Sequence, residues 1–191
     1  MTSGGTLEDR LRRLEDRVEI DELIARYCLV MDNRDVDAIE ALFTADVHVW
    51  SADGVMNSRG RQAAVDMFKG RFAVLGPSNH FTHDRIVEFD RADPDRATGL
   101  VLSHAEMQRK GQPMLAAIRY QDVYQRSDGR WRFRERGLSF MYYVPTAEYL
   151  DAFGPGLDRR MRAYEHAVPA DWPEKLPTWQ RYYQPEKKTE S

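Results

Sequence analysis

The sequence predicts an α+β domain in which a curved antiparallel sheet wraps around N-terminal helices and forms a cone with an interior pocket. Apolar residues recur at helical spacing through about the first forty positions, whereas four β-type runs fill residues 80–143. The breaks between those runs are RADPDR, KGQ and SDG, which are typical of turns between successive antiparallel strands. Since helices come first and strands follow, the helices should cover one face of the sheet.

The N-terminal helices are indicated by caps and apolar stripes. Thr6 and Asp9 resemble a capping box, and Asp35 is suited to cap a short helix that follows a first helical region ending near Asn33. Four apolar residues form a first stripe at helical spacing: Leu7, Leu11, Leu14 and Val18. We expect this stripe to pack on its own domain or on another subunit.

The rest of the chain divides into a sheet-forming region and a C-terminal extension. DVHVWSADG predicts a strand, residues 60–74 a helix, and the four long runs a strongly curved sheet whose cavity suits a small molecule. From Pro145 onward the composition shifts, and the tail over residues 167–185 is rich in prolines, which prevent one long helix, and in aromatics. We therefore expect disorder over 1–5, one domain over 6–146, and an extension over 147–191 that packs on the domain or a neighbouring subunit.

Composition excludes several classes of protein. A net charge of −3 and a pI of about 6.0 disfavour a nucleic-acid-binding face. The single cysteine, Cys28, excludes an intramolecular disulfide and a thiolate zinc cluster within one chain. No segment is long and apolar enough for a signal peptide or a membrane span. We therefore expect a cytoplasmic protein without a nucleic-acid or membrane partner.

Two short stretches, YCLVMD and NHFTHD, place ionisable residues inside otherwise apolar segments. Asp32 could be a solvated helix-end residue, and His80 could be a structural histidine with a partner in the core. His83 competes with His80 because strand alternation puts them on opposite faces. The face of His83 also carries Val87 and is the more apolar one, which favours His83 pointing inward unless a bulge or a buried outer face reverses the pattern.

Several phrases together resemble the SnoaL-like branch of the nuclear-transport-factor-two-like superfamily, over roughly residues 12–146. They are EIDELIARYCLVMDNRDVDAIEALFTADV, GRQAAVDMF, NHFTHDRIVEF and YQRSDGRWRF. This branch contains scytalone dehydratase, bile-acid 7α-dehydratase and hexachlorocyclohexane dehydrochlorinase. The resemblance implies a cystatin-like α+β barrel. Many unrelated activities use this fold, so function depends on the site.

The resemblance also implies site residues. In these eliminating enzymes an aspartate near the end of the first helix supports a histidine at the start of a long strand, and the matching residues here are Asp32 and His80. Tyr27 matches a tyrosine of the bile-acid enzyme, His104 lies near a second cavity histidine of scytalone dehydratase, and Arg136 is the nearest match to an arginine on the final strand. Five aromatic residues are predicted to line the cavity: Trp50, Phe68, Phe72, Tyr120 and Phe140.

This group of residues suits base-catalysed elimination. An imidazole with a pKa near 6.5 can accept a C–H proton at neutral pH, and a buried carboxylate on its other nitrogen sets the tautomer. Neither a metal-binding spacing nor a nucleotide-binding motif occurs in the sequence, and this chemistry needs no metal or organic cofactor. The sequence thus predicts a lyase of the dehydratase type acting on a hydrophobic cyclic molecule such as a polyketide, steroid or terpenoid.

Other functions remain open at this point. The same fold could serve an isomerase, a cyclase or an epoxide hydrolase, or a binding or assembly module in which Asp32 and His80 do not meet. A broad outer sheet face predicts a homo-oligomer. The resemblance favours a trimer, although other branches of the superfamily form dimers.

Overall fold

The computed structural model describes residues 6–154 and 158–183, and it confirms the α+β fold. Residues 1–5, predicted to be disordered, lie outside the described residues, as do 155–157 and 184–191 of the predicted extension. The helices and strands are, in chain order, α1 Leu7–Asn33, α2 Val36–Leu42, β1 Phe43–Ser51, β2 Asn57–Arg59, α3 Arg61–Phe72, β3 Leu75–Phe89, β4 Arg96–Arg109, β5 Gln112–Ser127, β6 Arg130–Pro145 and α4 Pro177–Tyr183. Two short 3₁₀ turns, Thr146–Glu148 and Leu150–Phe153, follow β6.

The six strands form one curved, open sheet in the order β2-β1-β6-β5-β4-β3. Strands β3 to β6 form the predicted antiparallel meander, whereas β1 pairs with β6 in parallel. The chain leaves β1, crosses through β2 and α3 to the far edge of the sheet, and returns strand by strand until β6 lies beside β1. The sheet is therefore mixed and has edges at β2 and β3, and helices α1 and α3 cover its concave face.

The N-terminal region forms the helical region predicted to end near Asn33, as α1, and then the short helix capped by Asp35, as α2. Thr6 and Asp9 form the predicted capping box, with the Asp9 amide 3.1 Å from Thr6 Oγ1. The C-terminal half of α1 packs in the core through Ile20, Ile24 and Tyr27. The first apolar stripe does not pack on its own domain: Leu7, Leu11, Leu14 and Val18 are 79, 56, 61 and 58% exposed.

The segment after β6 turns back and extends the sheet where β1 ends. The amide of Tyr143 donates to the carbonyl of Arg160 at 2.9 Å, and the amide of Arg162 donates to the carbonyl of Tyr143 at 2.8 Å. Further along, the amide of Asp171 donates to the carbonyl of Phe140 at 2.9 Å. This part of the predicted extension thus lies on its own domain.

None of the helices in 6–154 and 158–183 is long and apolar enough to cross a membrane.

Candidate active site

A hydrogen-bonded aspartate and histidine lie where the end of α1 meets β3. Asp32 occupies the last turn of α1, which ends because Arg34 adopts a left-handed conformation with φ of 57°. The Asp32 Oδ1 atom is 2.7 Å from His80 Nδ1, and Asp32 Oδ2 accepts the His80 backbone amide at 2.8 Å. Ser78 Oγ donates to Asp32 Oδ1 at 2.7 Å. The side chains of His80 and Asp32 are only 17% and 12% exposed.

A β-bulge decides which histidine faces Asp32. Strand β3 pairs with β4 through Thr82 opposite Ser103 and then Arg85 opposite Val101, so β3 contains one extra residue at this point. Before the bulge, Ser78 and His80 face α1. After it the alternation is reversed, so Val87 is buried on the inner side as well. The pattern that favoured His83 as the inward residue was therefore misleading, because it assumed unbroken alternation.

The charge state of Asp32 is set by opposing effects. Burial raises the pKa of the Asp32 carboxyl, but the hydrogen bonds from the His80 ring, Ser78 and the His80 amide outweigh burial and bring this pKa below its usual value. Asp32 is thus a carboxylate at neutral pH and can only accept hydrogen bonds. The proton on the neutral His80 ring is consequently placed on Nδ1, and the second ring nitrogen, Nε2, is left as a base.

Arg34 holds the end of α1 against the start of β3. Its guanidinium donates to the carbonyls of Met31 and Gly76 and to Ser78 Oγ, the last at 3.0 Å. The guanidinium also lies over the Phe72 ring, 4.7 Å from its centroid. Arg34 therefore orients Ser78, which in turn donates to Asp32, and it closes one side of the pocket.

His80 opens onto a cavity of about 70 Å³ between α1, α3 and the sheet. The predicted residues that line this cavity are Tyr27, Phe68, Phe72, His80, Tyr120 and Phe140. Its volume is below the roughly 300–1,000 Å³ usual for ligand pockets. The lining also includes the flexible side chains of Met31, Met56 and Met107. Rotation of these side chains enlarges the cavity enough to admit a ring.

Tyr27 is a buried residue of the cavity wall. Burial raises the pKa of Tyr27 to about 12, although the charge of Arg136 opposes the rise. The phenol therefore keeps its proton at neutral pH. Its ring packs edge-on against Phe68, Tyr120 and Phe133, with centroids 5.8 to 6.1 Å apart, which holds the ring in one orientation.

Arg136 lies behind the cavity wall and does not line the cavity. It is fully buried, and its guanidinium lies 3.9 Å from the ring centroids of both Tyr27 and Tyr120. Asp122 is its counter-charge, with Arg136 Nη1 3.6 Å from Asp122 Oδ2. Within the described residues no nitrogen of the guanidinium makes a hydrogen bond, so aromatic faces and one carboxylate balance its charge.

Two further predicted cavity residues lie elsewhere. His104 is on the outer face of the sheet, where its Nδ1 is 2.7 Å from His83 Nε2, because its neighbours Ser103 and Ala105 take the inward positions of β4. Trp50 donates from Nε1 to Glu135 at 2.8 Å, and its indole covers the bare backbone of Gly137. Neither residue lines the cavity that contains His80.

Sequence reasoning did not single out three residues of the site. Ser78 could have been found, because it lies two positions before His80 on the same side of a strand. Arg34 and Arg71 are arginines near helix ends, where a solvated side chain is the ordinary expectation, and no local pattern reveals that they face a cavity.

In the part of the chain that the structure describes, no cluster of three or more His, Cys, Asp or Glu is arranged to hold a metal ion.

The fold and the site define a class: a small α+β domain whose curved sheet and helices enclose an apolar pocket with a histidine–carboxylate pair at its wall. The chain belongs to the SnoaL-like domain family, whose model matches residues 12–137. It is similar to gamma-hexachlorocyclohexane dehydrochlorinase from Sphingobium indicum, with 28% identity over 141 residues that cover 72% of this chain and 88% of the relative.

Solved structures show the same fold. The crystal structure of LinA superposes with a TM-score of 0.68 at 22% identity, covering 73% of this chain and 95% of LinA. An NTF2-like protein with a cystatin-like fold from Novosphingobium aromaticivorans superposes with a TM-score of 0.56 at 29% identity, covering 71% of this chain and 88% of that chain. The resemblance noted from the sequence is confirmed at the level of family and fold.

Proposed function

We propose that this protein is a cofactor-independent lyase that eliminates water from a hydrophobic cyclic small molecule. The observation that carries the proposal is the 2.7 Å hydrogen bond between Asp32 and His80 at the wall of an apolar cavity. A binding or assembly module does not need such a pair. A histidine that acts as a general base does, because a carboxylate on one ring nitrogen orients the other nitrogen and stabilises the imidazolium that forms.

The proposed reaction assigns one role to each of three side chains. His80 Nε2 removes a proton from the carbon next to a ring carbonyl, and the imidazolium that forms is stabilised by Asp32. The electron pair of the broken C–H bond forms the new C=C bond, and the bond from the neighbouring carbon to oxygen breaks. The leaving hydroxyl takes a proton from Tyr27 or from His80 and departs as water.

The comparisons support elimination as the reaction class. The name of the Sphingobium relative describes removal of hydrogen chloride from a chlorinated cyclohexane, which is also a 1,2-elimination on a small ring. Loss of water and loss of chloride share the step in which the base takes a C–H proton, and they differ in the leaving group. The apolar and aromatic walls around His80 favour a ring over a sugar phosphate.

The test is an elimination assay with two substrate arms. The wild-type protein is incubated with 3-hydroxycyclohexanone, and the enone product is followed by its ultraviolet absorbance. A chlorinated cyclohexane serves as the second arm and reports chloride release. We expect turnover of the hydroxy ketone, and a loss of about 10²- to 10⁴-fold in His80→Ala because the general base is removed.

A fold check and a solvent-exchange measurement complete the assay. Far-ultraviolet circular dichroism must show that His80→Ala is folded. Equal activity of this folded variant and the wild type would contradict the proposal. If deuterium from solvent enters the ring without loss of water, the base removes a C–H proton but the hydroxyl does not leave, and the proposed elimination is contradicted.

We also infer a cytoplasmic homo-oligomer, with the trimer favoured over the dimer. The exposed stripe Leu7, Leu11, Leu14 and Val18 on the first turns of α1 supports self-association, because apolar side chains at helical spacing are stabilised when another surface covers them. Light scattering after size-exclusion chromatography gives the mass, and Leu11→Glu together with Leu14→Glu should reduce it. A monomeric wild type would contradict this inference.

A further inference from the structure

We propose that Arg71 forms a carboxylate-binding subsite in the cavity, so that the substrate is a ring carrying a carboxylate. This inference rests on the proposed function for the identity of the reaction, but the subsite itself can be tested by binding alone.

Arg71 is a cation of the cavity wall whose guanidinium is bound by no side chain or backbone oxygen of the described residues. It lies in the last turn of α3 and is half-buried, and its side chain lines the cavity that contains His80. Among the described residues its guanidinium has no hydrogen bond and no ion pair, unlike Arg34 on the same cavity, which has three acceptors. Unlike the guanidinium of Arg136, that of Arg71 is not cut off from solvent, so an anionic ligand can reach it and form charge-assisted hydrogen bonds.

A neighbouring carboxylate, Asp53, makes no hydrogen bond with Arg71. Asp53 lies beside it in a small adjoining cavity, but its oxygens accept hydrogen bonds from three neutral donors. These donors are Ser51 Oγ at 2.5 Å, the Val55 amide at 3.0 Å and the Tyr164 hydroxyl. Tyr164 belongs to the C-terminal extension. Burial raises the pKa of Asp53, but the hydrogen bonds from Ser51, Tyr164 and Val55, and then the charge of Arg71, outweigh burial and lower this pKa, so Arg71 acts on Asp53 through its charge and not through a hydrogen bond.

The position of Arg71 fits a substrate that reaches His80. Arg71 borders both the His80 cavity and the adjoining one, whereas His80 borders only the first. A carboxylate paired with the planar guanidinium fork would be held by two parallel N–H···O bonds, which fixes its orientation. The ring would then extend past Phe68 and Phe140 toward His80, with its reacting C–H directed at Nε2.

The experiment compares two probes of the same shape and different charge. Benzoate and benzamide are titrated at pH 7 and low salt, and binding is measured by NMR chemical shifts. We expect wild-type protein to bind benzoate at least about tenfold more tightly than benzamide, as charge-assisted hydrogen bonds imply. In Arg71→Gln the two probes should bind about equally tightly, because the affinity for benzoate falls while the affinity for benzamide changes little.

Two control variants each remove the positive charge of an arginine at another position. Arg59 is exposed on β2, and Arg109 lines the adjoining cavity together with Arg71, with its guanidinium 5.9 Å from the Tyr143 ring centroid. Arg59→Gln and Arg109→Gln should keep most of the benzoate preference. Equal binding of the two probes by wild type overturns the proposal, as does loss of the preference in Arg109→Gln but not in Arg71→Gln. Competition by chloride as effective as that by benzoate would show a general anion site and also overturn it.

Two further measurements keep the test informative. If Arg71→Gln does not fold, the Arg71 Nε–H resonance of wild type must shift with benzoate and not with benzamide; no shift overturns the proposal. His80→Ala should retain the benzoate preference. If the elimination assay fails and the preference stands, the proposed reaction is wrong and the carboxylate subsite remains.

Discussion

His80 and His83 lie three residues apart on β3, and each has a hydrogen bond of 2.7 Å from its ring to another side chain. His80 faces the cavity and pairs with Asp32, whereas His83 faces outward and pairs with His104 in a solvent-exposed position. The local sequence around the two residues is similarly polar. Their partners and their exposure differ, and these differences separate a candidate base from a surface pair.

The comparison teaches that the partner determines what an imidazole can do. A carboxylate accepts the Nδ1 proton and stabilises positive charge on the ring, so His80 can take up a proton at Nε2. A second imidazole repels that charge: burial and then the charge of His83 lower the pKa of His104. The two pairs therefore differ in the group that faces the ring, a carboxylate for His80 and a second imidazole for His104, and burial and that second imidazole lower the pKa of His104.

The largest effect is expected from removing the partner of each histidine. Asp32→Asn takes away the negative charge that stabilises the His80 imidazolium, and we expect kcat in the elimination assay to fall about 10²- to 10⁴-fold. His104→Gln removes the partner of His83, and activity should stay within about twofold. If both variants lost the same fraction of activity, the two pairs would not differ in function, and this would contradict the proposed role of Asp32 and His80.

The next effect concerns the charge buried behind the cavity wall. Arg136→Met leaves Asp122 without a counter-charge, and urea unfolding at pH 7 should show a loss of about 3–5 kcal/mol. Burial already raises the pKa of Asp122 to about 6, with Arg136 and Tyr124 opposing the rise. Without Arg136 this pKa rises further, so the carboxyl is protonated at pH 5 and the loss should be smaller there. A double variant with Asp122→Asn should recover most of the stability at pH 7.

A smaller effect is expected from the acid titration of Asp32. Its pKa is lower folded than unfolded, so its contribution is present above the unfolded value near 3.9 and is lost as the pH falls through the folded value. Wild type should exceed Asp32→Asn in unfolding free energy by about 1 kcal/mol at pH 7. The difference in unfolding free energy should narrow as the pH falls below the unfolded value near 3.9. A difference that does not change with pH would mean that packing, and not the charge of Asp32, causes it.

The smallest effect concerns the outer pair. Because the pKa of His104 is lowered in the fold, the folded state binds fewer protons than the unfolded chain, and stability is lost as pH falls through and below the unfolded value near 6.5. His104→Gln should show a flatter dependence of its urea midpoint between pH 7.5 and 5.5. Identical slopes in the variant and wild type would show that the pair does not resist protonation.

The sequence predicted the fold class because helical and strand periodicity and the turn residues agree with one another over most of the chain. For the site, the family resemblance was needed to select Asp32 and His80, because periodicity alone favoured His83. Tyr27, Phe68, Phe72, Tyr120 and Phe140 do line the cavity, whereas Trp50, His104 and Arg136 do not. Trp50 and His104 are on strands, where one step of register changes the face that a side chain occupies. Arg136 does face inward, but Tyr27 and Tyr120 cover its guanidinium.

By itself the sequence determined the features that depend on near neighbours. The Thr6–Asp9 capping box and the Asp35 cap involve residues three positions apart, and the order of helices and strands follows from local periodicity. Only the tertiary structure decided that Asp32 meets His80 across 48 positions, that a bulge turns His83 outward, and that Arg71 is left without an acceptor. Such contacts depend on how distant segments pack and on strand register, and neither is encoded in any short stretch of residues.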